Sequence, residues 1–295
     1  MWRLEDVRAA LTERGDLWEV APGLTGLRGP TAALFRDIEC AIRDLVLAET
    51  NDEWQVPPAL DLAALERAEY FASFPQWLTL AAHLSDDAAI LRQVAEHQRP
   101  ARAAATATVP AGAALTPAVC YHAYRAMAGT TVYSPTVVTA QSHCWRHEGD
   151  GHAALERGWA FTMRELVCLG TDEDVRQFLE RTIARVGELA SALDLRATLI
   201  EATDPFFAPT ARGKALLQKV KGLKRELTMP IAPDRALAVS SFNLHETFFG
   251  DAFDIRLTDG RPATTGCLAF GIERWVLAFL VRHGVDARCG KAGVP

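Results

Sequence analysis

The sequence contains no apolar run close to the roughly 20 residues that a membrane-spanning helix requires. Its first six residues include Glu5 and Asp6 and are not followed by an apolar segment, so they do not resemble a signal peptide. These two absences predict a protein that has no membrane partner and works in the cytoplasm.

A basic excess is lacking as well, since 31 Lys and Arg residues stand against 37 Asp and Glu residues and give a formal net charge of −6. Nucleic-acid-binding proteins usually carry a surplus of basic residues that neutralises phosphates. The densest basic segment, residues 214–225, is therefore interpreted as a solvated helix face rather than a nucleic-acid site.

Closely spaced cysteine pairs, which characterise zinc fingers, are also missing from the sequence. In a reducing compartment we expect no disulfides among the six cysteines. Hydrophobic residues make up 49% and charged residues 23% of the chain, which is typical of a globular protein that buries its own core. The cysteines are Cys40, Cys120, Cys144, Cys168, Cys267 and Cys289.

The spacing of apolar residues predicts the secondary structure. Helices are predicted at 32–48, 83–98, 172–193 and 271–283, with an interrupted helix at 61–80 and a connection at 100–117. β-prone runs are found at 131–133, 137–139, 159–168, 236–241 and 268–270. Strands and helices do not alternate regularly, which predicts one α+β domain over residues 1–295, with helical elements in 32–98 and a mainly antiparallel sheet flanked by helices.

Two segments place charged residues where a partner is required. Arg146 and Glu148 are two positions apart, so on a strand they would point the same way and could hold a phosphate and an amine. A surface ion pair is the alternative, and it is favoured for this pair taken alone.

Further along, a strand would place Phe161, Met163 and Glu165 on one face. A buried carboxylate there requires either a metal or a buried arginine.

A third segment joins a strand to a helix at Gly271 and places Arg274 in the first helical turn. The apolar residues Ile272, Val276 and Phe279 predict the buried face of that helix, and Arg274 lies off this face. A cation at a helix N-terminus opposes the helix dipole. An anionic ligand therefore explains Arg274 better than helix stability does.

Together these segments resemble motifs 2 and 3 of the class II aminoacyl-tRNA synthetases. They are most similar to the seryl-tRNA-synthetase-like amino acid:[carrier protein] ligases, which are shortened relatives of the zinc-containing archaeal seryl enzymes. The resemblance runs from about Phe71 to the C-terminal helix. It rests on five segments in the family's order, 145–148 (WRHE), 161–165 (FTMRE), 202–207 (ATDPFF), 240–245 (SSFNLH) and 270–274 (FGIER).

The resemblance implies a zinc ion held by Cys120, Glu165 and Cys267, which are too far apart in sequence for spacing alone to predict a site. Two thiolates favour zinc over magnesium. Three protein ligands leave a fourth position open, and by resemblance this position takes the α-amino group of an amino acid. The other four cysteines are interpreted as packing or surface residues.

The resemblance also implies an ATP site with Mg²⁺. Arg146 would hold the α-phosphate and Arg274 the γ-phosphate, while Glu148 would contact the adenine amino group and Phe161 would stack on the base. The family's magnesium-binding glutamate is replaced here by an alanine near position 238, which leaves the magnesium ligands open.

The amino acid would contact Asn243 and His245, although ordinary hydrogen bonding at a strand end is an equally good explanation of His245.

The function implied is the activation of a small amino acid as its adenylate, followed by transfer to the phosphopantetheine thiol of a carrier protein. The acidic charge and the lack of a segment long enough for a coiled-coil arm predict that tRNA is not a partner, and the family predicts a homodimer. Two alternatives are open. One is transfer to tRNA or another small acceptor, and the other is a non-catalytic synthetase paralogue that acts as a binding subunit.

Overall fold

The structure is a computed structural model that describes residues 2–207 and 212–289. Its helices are α1 (Leu4–Glu13), α2 (Gly29–Leu47), α3 (Leu62–Arg67), α4 (Tyr70–Ser73), α5 (Ala88–Glu96), α6 (Pro100–Thr106), α7 (Cys120–Ala126), α8 (Asp172–Ala192), α9 (Arg212–Val220), α10 (Phe248–Phe253) and α11 (Ile272–His283). A short 3₁₀ helix spans Pro75–Trp77.

The strands are β1 (Leu17–Ala21), β2 (Leu24–Leu27), β3 (Glu53–Gln55), β4 (Ala59–Asp61), β5 (Leu80–Leu84), β6 (Thr108–Leu115), β7 (Thr131–Val132), β8 (Thr136–Trp145), β9 (Ala160–Gly170), β10 (Thr198–Glu201), β11 (Lys224–Ala232), β12 (Arg235–Glu246), β13 (Arg256–Leu257) and β14 (Thr264–Gly271).

One seven-stranded sheet organises the chain, in the order β10-β11-β12-β14-β9-β8-β3. Neighbouring strands are antiparallel, except that the edge strand β3 runs parallel to β8. The predicted α+β fold with a mainly antiparallel sheet is therefore confirmed. Smaller sheets are formed by β1 with β2, by β7 with β13, and by β4, β6 and β5.

The two faces of the large sheet are covered differently. On one face the long helices α2, α8 and α11 bury Ile38, Phe178 and Val276 against the sheet. Their apolar residues recur at helical spacing, and a strand sends alternate side chains to opposite faces, so Leu166 of β9 joins this core. On the other face the short helices α3, α4, α7 and α10 pack around a second core, to which Met163 of β9 belongs. The candidate site lies on this second face.

The long helices follow the prediction closely, and two other segments do not. The helix predicted at 83–98 begins only at Ala88, because Asp87 caps it by accepting hydrogen bonds from the backbone N–H groups of Ala89 at 2.7 Å and Ile90 at 3.2 Å. The predicted connection at 100–117 is wrong, since it forms α6 and β6. Strand β6 pairs with both β4 and β5, and these pairings are not visible in local composition.

The basic segment 214–225 is not a helix face throughout. It leaves α9 after Val220 and enters β11 at Lys224, whose side chain is only 9% exposed. None of the helices in the described part of the chain combines the length and the apolar composition that crossing a membrane would require.

Candidate active site

A cavity of about 540 Å³ opens on the second face of the sheet. Strands β9, β11, β12 and β14 form its floor, while residues of α4, α7 and the segment after β8 form its walls. All nine site residues predicted from the sequence line this one cavity, and their individual roles remain predictions. They are Cys120, Arg146, Glu148, Phe161, Glu165, Asn243, His245, Cys267 and Arg274.

Three of these residues form a compact cluster whose ligand atoms could hold a metal ion. Cys120 is the first residue of α7, Glu165 lies in the middle of β9, and Cys267 lies in the neighbouring strand β14. One ligand atom from each residue lies within 4.8 Å of the other two. All three are buried, with 6%, 2% and 2% of their surface exposed. The geometry therefore brings together two sulfur ligands and one oxygen ligand around a single point.

The cluster has a surplus of acidic groups. Glu165 accepts hydrogen bonds from the backbone N–H of Cys120 and from the Cys267 thiol, whose Sγ is 3.5 Å away. Burial raises the pKa of Glu165, and the Cys267 hydrogen bond together with burial raises the pKa of Cys120. Among the described residues no arginine forms an ion pair with Glu165, although the charge of Arg146 acts to lower the pKa of Glu165, so the direct arginine partner that was the alternative to a metal is not found. The donor set fits a divalent cation such as zinc, which binds thiolates and favours their deprotonated form.

His245 stands beside this cluster with its ring nitrogens near fixed partners. Its Nδ1 lies 3.3 Å from the Tyr124 hydroxyl and 3.3 Å from Thr265 Oγ1, and its Nε2 lies 3.9 Å from Cys267 Sγ. Burial lowers the pKa of His245 to about 4, so its imidazole is neutral at neutral pH. Both explanations of His245 from the sequence fit this geometry, because the ring is hydrogen-bonded and also lines the cavity.

Asn243 links the cluster to the rest of the floor. Its side-chain amide donates to Ser241 Oγ at 3.2 Å and lies 3.5 Å from Cys267 Sγ. Nearby, the ring of Phe249 stacks on Tyr124 at 4.3 Å and meets Tyr121 edge-on at 5.8 Å. Of these rings, Phe249 and Tyr121 line the cavity and limit the space beside the cluster, so the cavity suits a small group there.

Arg146 follows β8 rather than lying on it, because the strand ends at Trp145. The expectation that Arg146 and Glu148 point the same way from one strand is therefore wrong. The Arg146 Nε donates to the Pro117 carbonyl at 3.0 Å, and its guanidinium lies 5.1 Å from the Trp77 ring centre and 5.5 Å from that of Phe161. A flat, cationic cleft lined by aromatic rings results, which suits a nucleotide.

Glu148 is ion-paired, but not with Arg146. Its carboxylate lies 3.1 Å from Arg157 Nε, and Arg157 is about half exposed. The ion-pair alternative from the sequence is thus correct about Glu148 and wrong about its partner. Because Glu148 also lines the cavity, a ligand can reach it without breaking a buried charge pair.

In residues 2–207 and 212–289, the Arg274 side chain donates hydrogen bonds only to backbone carbonyls. Its Nε donates to the Glu156 carbonyl at 2.8 Å and its Nη1 to the Ala238 carbonyl at 2.9 Å. No carboxylate in these ranges forms an ion pair with it. Burial, followed by the charge of Arg146, lowers the pKa of Arg274. An anionic ligand would relieve this repulsion, as the position of Arg274 in the first turn of α11 predicts.

Sequence reasoning missed a charged group on the cavity floor. Lys224 lies 2.5 Å from Asp204 Oδ1 and 3.0 Å from Glu226 Oε1, and all three residues line the cavity. Lys224 and Glu226 alternate along β11, and this period of two was the available signal. It was hidden because Lys224 continues the basic segment of α9.

Glu273 was missed as well. Both of its carboxylate oxygens accept a hydrogen bond from the backbone N–H of Thr162, at 2.8 and 2.9 Å. Burial raises the pKa of Glu273 to about 7. The contact ties the start of α11 to β9, and so holds Arg274 and Phe161 on elements that are directly joined.

Comparison with known proteins adds to this geometry. The chain is 34% identical over 241 residues to amino acid--[acyl-carrier-protein] ligase 1 of Bradyrhizobium diazoefficiens, covering 81% of this chain and 73% of that protein. It is also 34% identical over 275 residues to ligase 2 of the same organism, covering 90% and 80%. No family model matches the chain.

More distant relatives are longer synthetases. The type-2 serine--tRNA ligase of Methanocaldococcus jannaschii is 26% identical over 271 residues, which is 87% of this chain and 52% of that enzyme. The Methanopyrus kandleri SerRS, solved with an A. aeolicus tRNASec, superposes with a TM-score of 0.83 at 22% identity, over 95% of this chain and 57% of that one. Giardia lamblia prolyl-tRNA synthetase, solved with prolyl-adenylate, gives a TM-score of 0.71 at 12% identity, over 93% and 52%. The chain spans about half the length of these synthetases, and the superpositions show the class II catalytic fold.

Proposed function

We propose that this chain, which belongs to the family of amino acid--[acyl-carrier-protein] ligases, activates a small amino acid with ATP and transfers it to the phosphopantetheine thiol of a carrier protein. One observation carries the proposal for the site itself. In the described part of the chain, a buried cluster of acidic ligands and two arginines that form no ion pair with a carboxylate share one cavity. Such a cavity suits a substrate with an amine at one end and phosphates at the other.

In the first step the carboxylate of the amino acid attacks the α-phosphorus of ATP, and pyrophosphate leaves. Arg146 binds the α-phosphate and Arg274 the γ-phosphate, while Phe161 stacks on the adenine and Glu148 accepts a hydrogen bond from its amino group. The protein has little covalent chemistry to perform, because positioning and charge neutralisation account for most of the acceleration. The two arginines share that neutralisation with the Mg²⁺ that accompanies ATP.

At the other end of the cavity Cys120, Glu165 and Cys267 would hold a zinc ion. When bound, the ion would supply a Lewis acid for the neutral α-amine of the substrate. Asn243 and His245 then lie next to the amino-acid side chain, and the wall formed by Tyr121 and Phe249 restricts it to a small one.

In the second step the thiol sulfur of the carrier's phosphopantetheine attacks the acyl carbon of the adenylate. A carbon–sulfur bond forms, the bond from the acyl carbon to the phosphate oxygen breaks, and AMP leaves with the electron pair. The thiol proton is released to solvent. No enzyme nucleophile is needed. The homodimer expected from the family and the cytoplasmic location remain predictions, and a mass measurement in solution tests the first.

The proposal is tested by amino-acid-dependent exchange of labelled pyrophosphate into ATP, with each common amino acid in turn. Loading of a carrier protein is then measured by mass, with the carrier lacking phosphopantetheine as the matched control. We expect exchange with a small amino acid and a mass gain only on the modified carrier. Exchange without carrier loading, but with loading of tRNA, would favour the tRNA alternative. No exchange with any amino acid would favour the non-catalytic one.

A further inference from the structure

A carboxylate lies in the phosphate part of the cavity, where it would repel ATP. Glu226 of β11 lines the cavity, and in the strand register it stands directly opposite Ser241 of β12. Residues opposite each other in an antiparallel pair share a face of the sheet, with their Cβ atoms about 5 Å apart. Glu226 and Ser241 therefore present an acidic and a neutral oxygen to the same side of the cavity.

Lys224 does not neutralise this carboxylate fully. The ammonium group is shared, at 2.5 Å from Asp204 and 3.0 Å from Glu226. Asp204 is held further by Gln218, whose side-chain amide donates to Asp204 Oδ2 at 2.9 Å. One cation between two carboxylates leaves one negative charge in excess, and Glu226 is the carboxylate with fewer fixed partners among the described residues.

The excess charge also acts on Arg274, which lines the same cavity. Glu148 and Glu226 are the two carboxylates whose charges act most strongly on the Arg274 guanidinium. Glu148 is already paired with Arg157 at 3.1 Å. A triphosphate that binds Arg274 in this cavity is therefore repelled by the charge of Glu226 unless a cation bridges the two anionic groups.

A hard divalent cation would turn this repulsion into binding. Mg²⁺ prefers oxygen ligands, keeps several waters and is commonly held by one or two carboxylates together with substrate phosphates. The neighbouring strand supplies no alternative at position 238, because Ala238 has no ligand atom in its side chain and its carbonyl accepts a hydrogen bond from Arg274. The strand register pairs Ala238 with Thr228, two residues beyond Glu226 on β11.

We propose that Glu226 is the carboxylate through which the protein holds the divalent cation bound to ATP. The inference rests on the proposed function, since it requires ATP in this cavity. Position 238 has no acidic side chain, so the proposal places the acidic metal ligand on the adjacent strand β11 instead. Ser241, opposite Glu226, supplies a neutral oxygen on the same side of the site.

The test measures metal binding rather than turnover, with Mn²⁺ as a paramagnetic probe and α,β-methylene-ATP as a nucleotide that cannot be activated. In Glu226→Gln we expect the affinity for Mn²⁺ in the nucleotide complex to fall roughly tenfold or more. The affinity for the nucleotide in excess EDTA should stay equal or increase, because a repelling charge has been removed. A loss of affinity that appears only when the metal is present distinguishes a metal ligand from a structural residue.

Glu180→Gln is the matched control, because Glu180 is 66% exposed on α8 and lies away from the cavity lining. It should change neither affinity. Unchanged Mn²⁺ binding in Glu226→Gln would overturn the proposal, and so would an equal loss of affinity with and without metal. If Glu226→Gln does not fold, Glu226→Asp keeps the charge on a shorter side chain, and weaker Mn²⁺ binding than in the native protein is again expected. The binding measurements do not depend on pyrophosphate exchange. Failure of the proposed function would therefore appear separately, as a native protein that binds metal and nucleotide but does not catalyse exchange.

Discussion

The metal cluster and the two arginines lie in one cavity but are held by different parts of the fold. Cys120, Glu165 and Cys267 are buried to 94% or more and lie on α7, β9 and β14, so sheet register fixes their spacing. Arg146 and Arg274 lie just beyond the end of β8 and in the first turn of α11, and backbone carbonyls orient them. One region is set by strand pairing and the other by loop and helix-terminus contacts.

In each region groups of like charge type lie close together, and the sign is opposite in the two regions. In the cluster three acidic groups crowd together, and in the nucleotide region two cations repel each other. Each arrangement is unfavourable without a partner and becomes favourable when a ligand of opposite charge binds. Preorganised charges of this kind are how an active site stabilises its substrates and transition states. The contrast predicts that changes in one region leave binding in the other intact.

The largest effect is expected from replacing Cys120 and Cys267 together with serine. Serine is a poor zinc ligand, so we expect metal analysis to find zinc lost and pyrophosphate exchange to fall to background. Binding of a nucleotide analogue, measured by calorimetry, should persist. Zinc retained at full occupancy in the double variant would refute the assignment of the cluster.

Blocking the substrate amine should act almost as strongly. An N-acetylated amino acid has no neutral amine for the open zinc position, so we expect no exchange above background in the native enzyme. The free amino acid is the matched control in the same assay. Equal exchange with both compounds would show that the amine does not bind at the cluster.

Arg274→Ala tests the nucleotide region. Losing a charge-assisted phosphate contact costs about 2–4 kcal/mol of transition-state stabilisation, which is roughly 30- to 1000-fold in exchange rate. Zinc content should not change, because Arg274 does not contact the cluster. Arg282→Ala, at the C-terminal end of the same helix and away from the cavity lining, serves as control. An unchanged exchange rate in Arg274→Ala would mean that Arg274 does not act on ATP.

The pH dependence of Glu273 gives a smaller effect. The folded pKa of about 7 lies above the ordinary value of 4.5, so the native state binds this proton more tightly than the unfolded chain. Protonated Glu273 thus contributes to the free energy of unfolding in full below pH 4.5. This contribution, about 1–3 kcal/mol after allowance for solvent in the cavity, is lost as the pH rises through 7. Denaturant unfolding of native protein and Glu273→Gln should diverge over this range. Parallel pH profiles would contradict the raised pKa.

Selectivity among amino acids should be the weakest discrimination. The Phe249 and Tyr121 wall favours small side chains, but an apolar pocket separates substrates that differ by one methylene by only about 1–3 kcal/mol. We therefore expect exchange with more than one of glycine, alanine and serine. Exchange that is fastest with a large aromatic or basic amino acid would contradict a small pocket.

The segments that the sequence predicted well have patterns contained in a single element. The helices expected at 172–193 and 271–283 are α8 and α11, nearly to the residue, because their apolar period is local. Strands β9 and β12 were also predicted, but shorter than they are. Strands β6 and β11 were not predicted, because their formation depends on partner strands elsewhere in the chain. Lys224 was misassigned for that reason.

The sequence by itself determined the α+β class, the long helices and, through five ordered segments, the resemblance that assigned nine candidate residues. Tertiary structure alone decided which of them meet. Glu165 lies 45 positions from Cys120 and 102 from Cys267, and only the pairing of β9 with β14 and the docking of α7 bring their ligand atoms together. The position of Glu226 opposite Ser241 likewise follows from strand register. Helix periodicity is encoded by neighbours along the chain, whereas strand pairing and burial are set by contacts between distant residues.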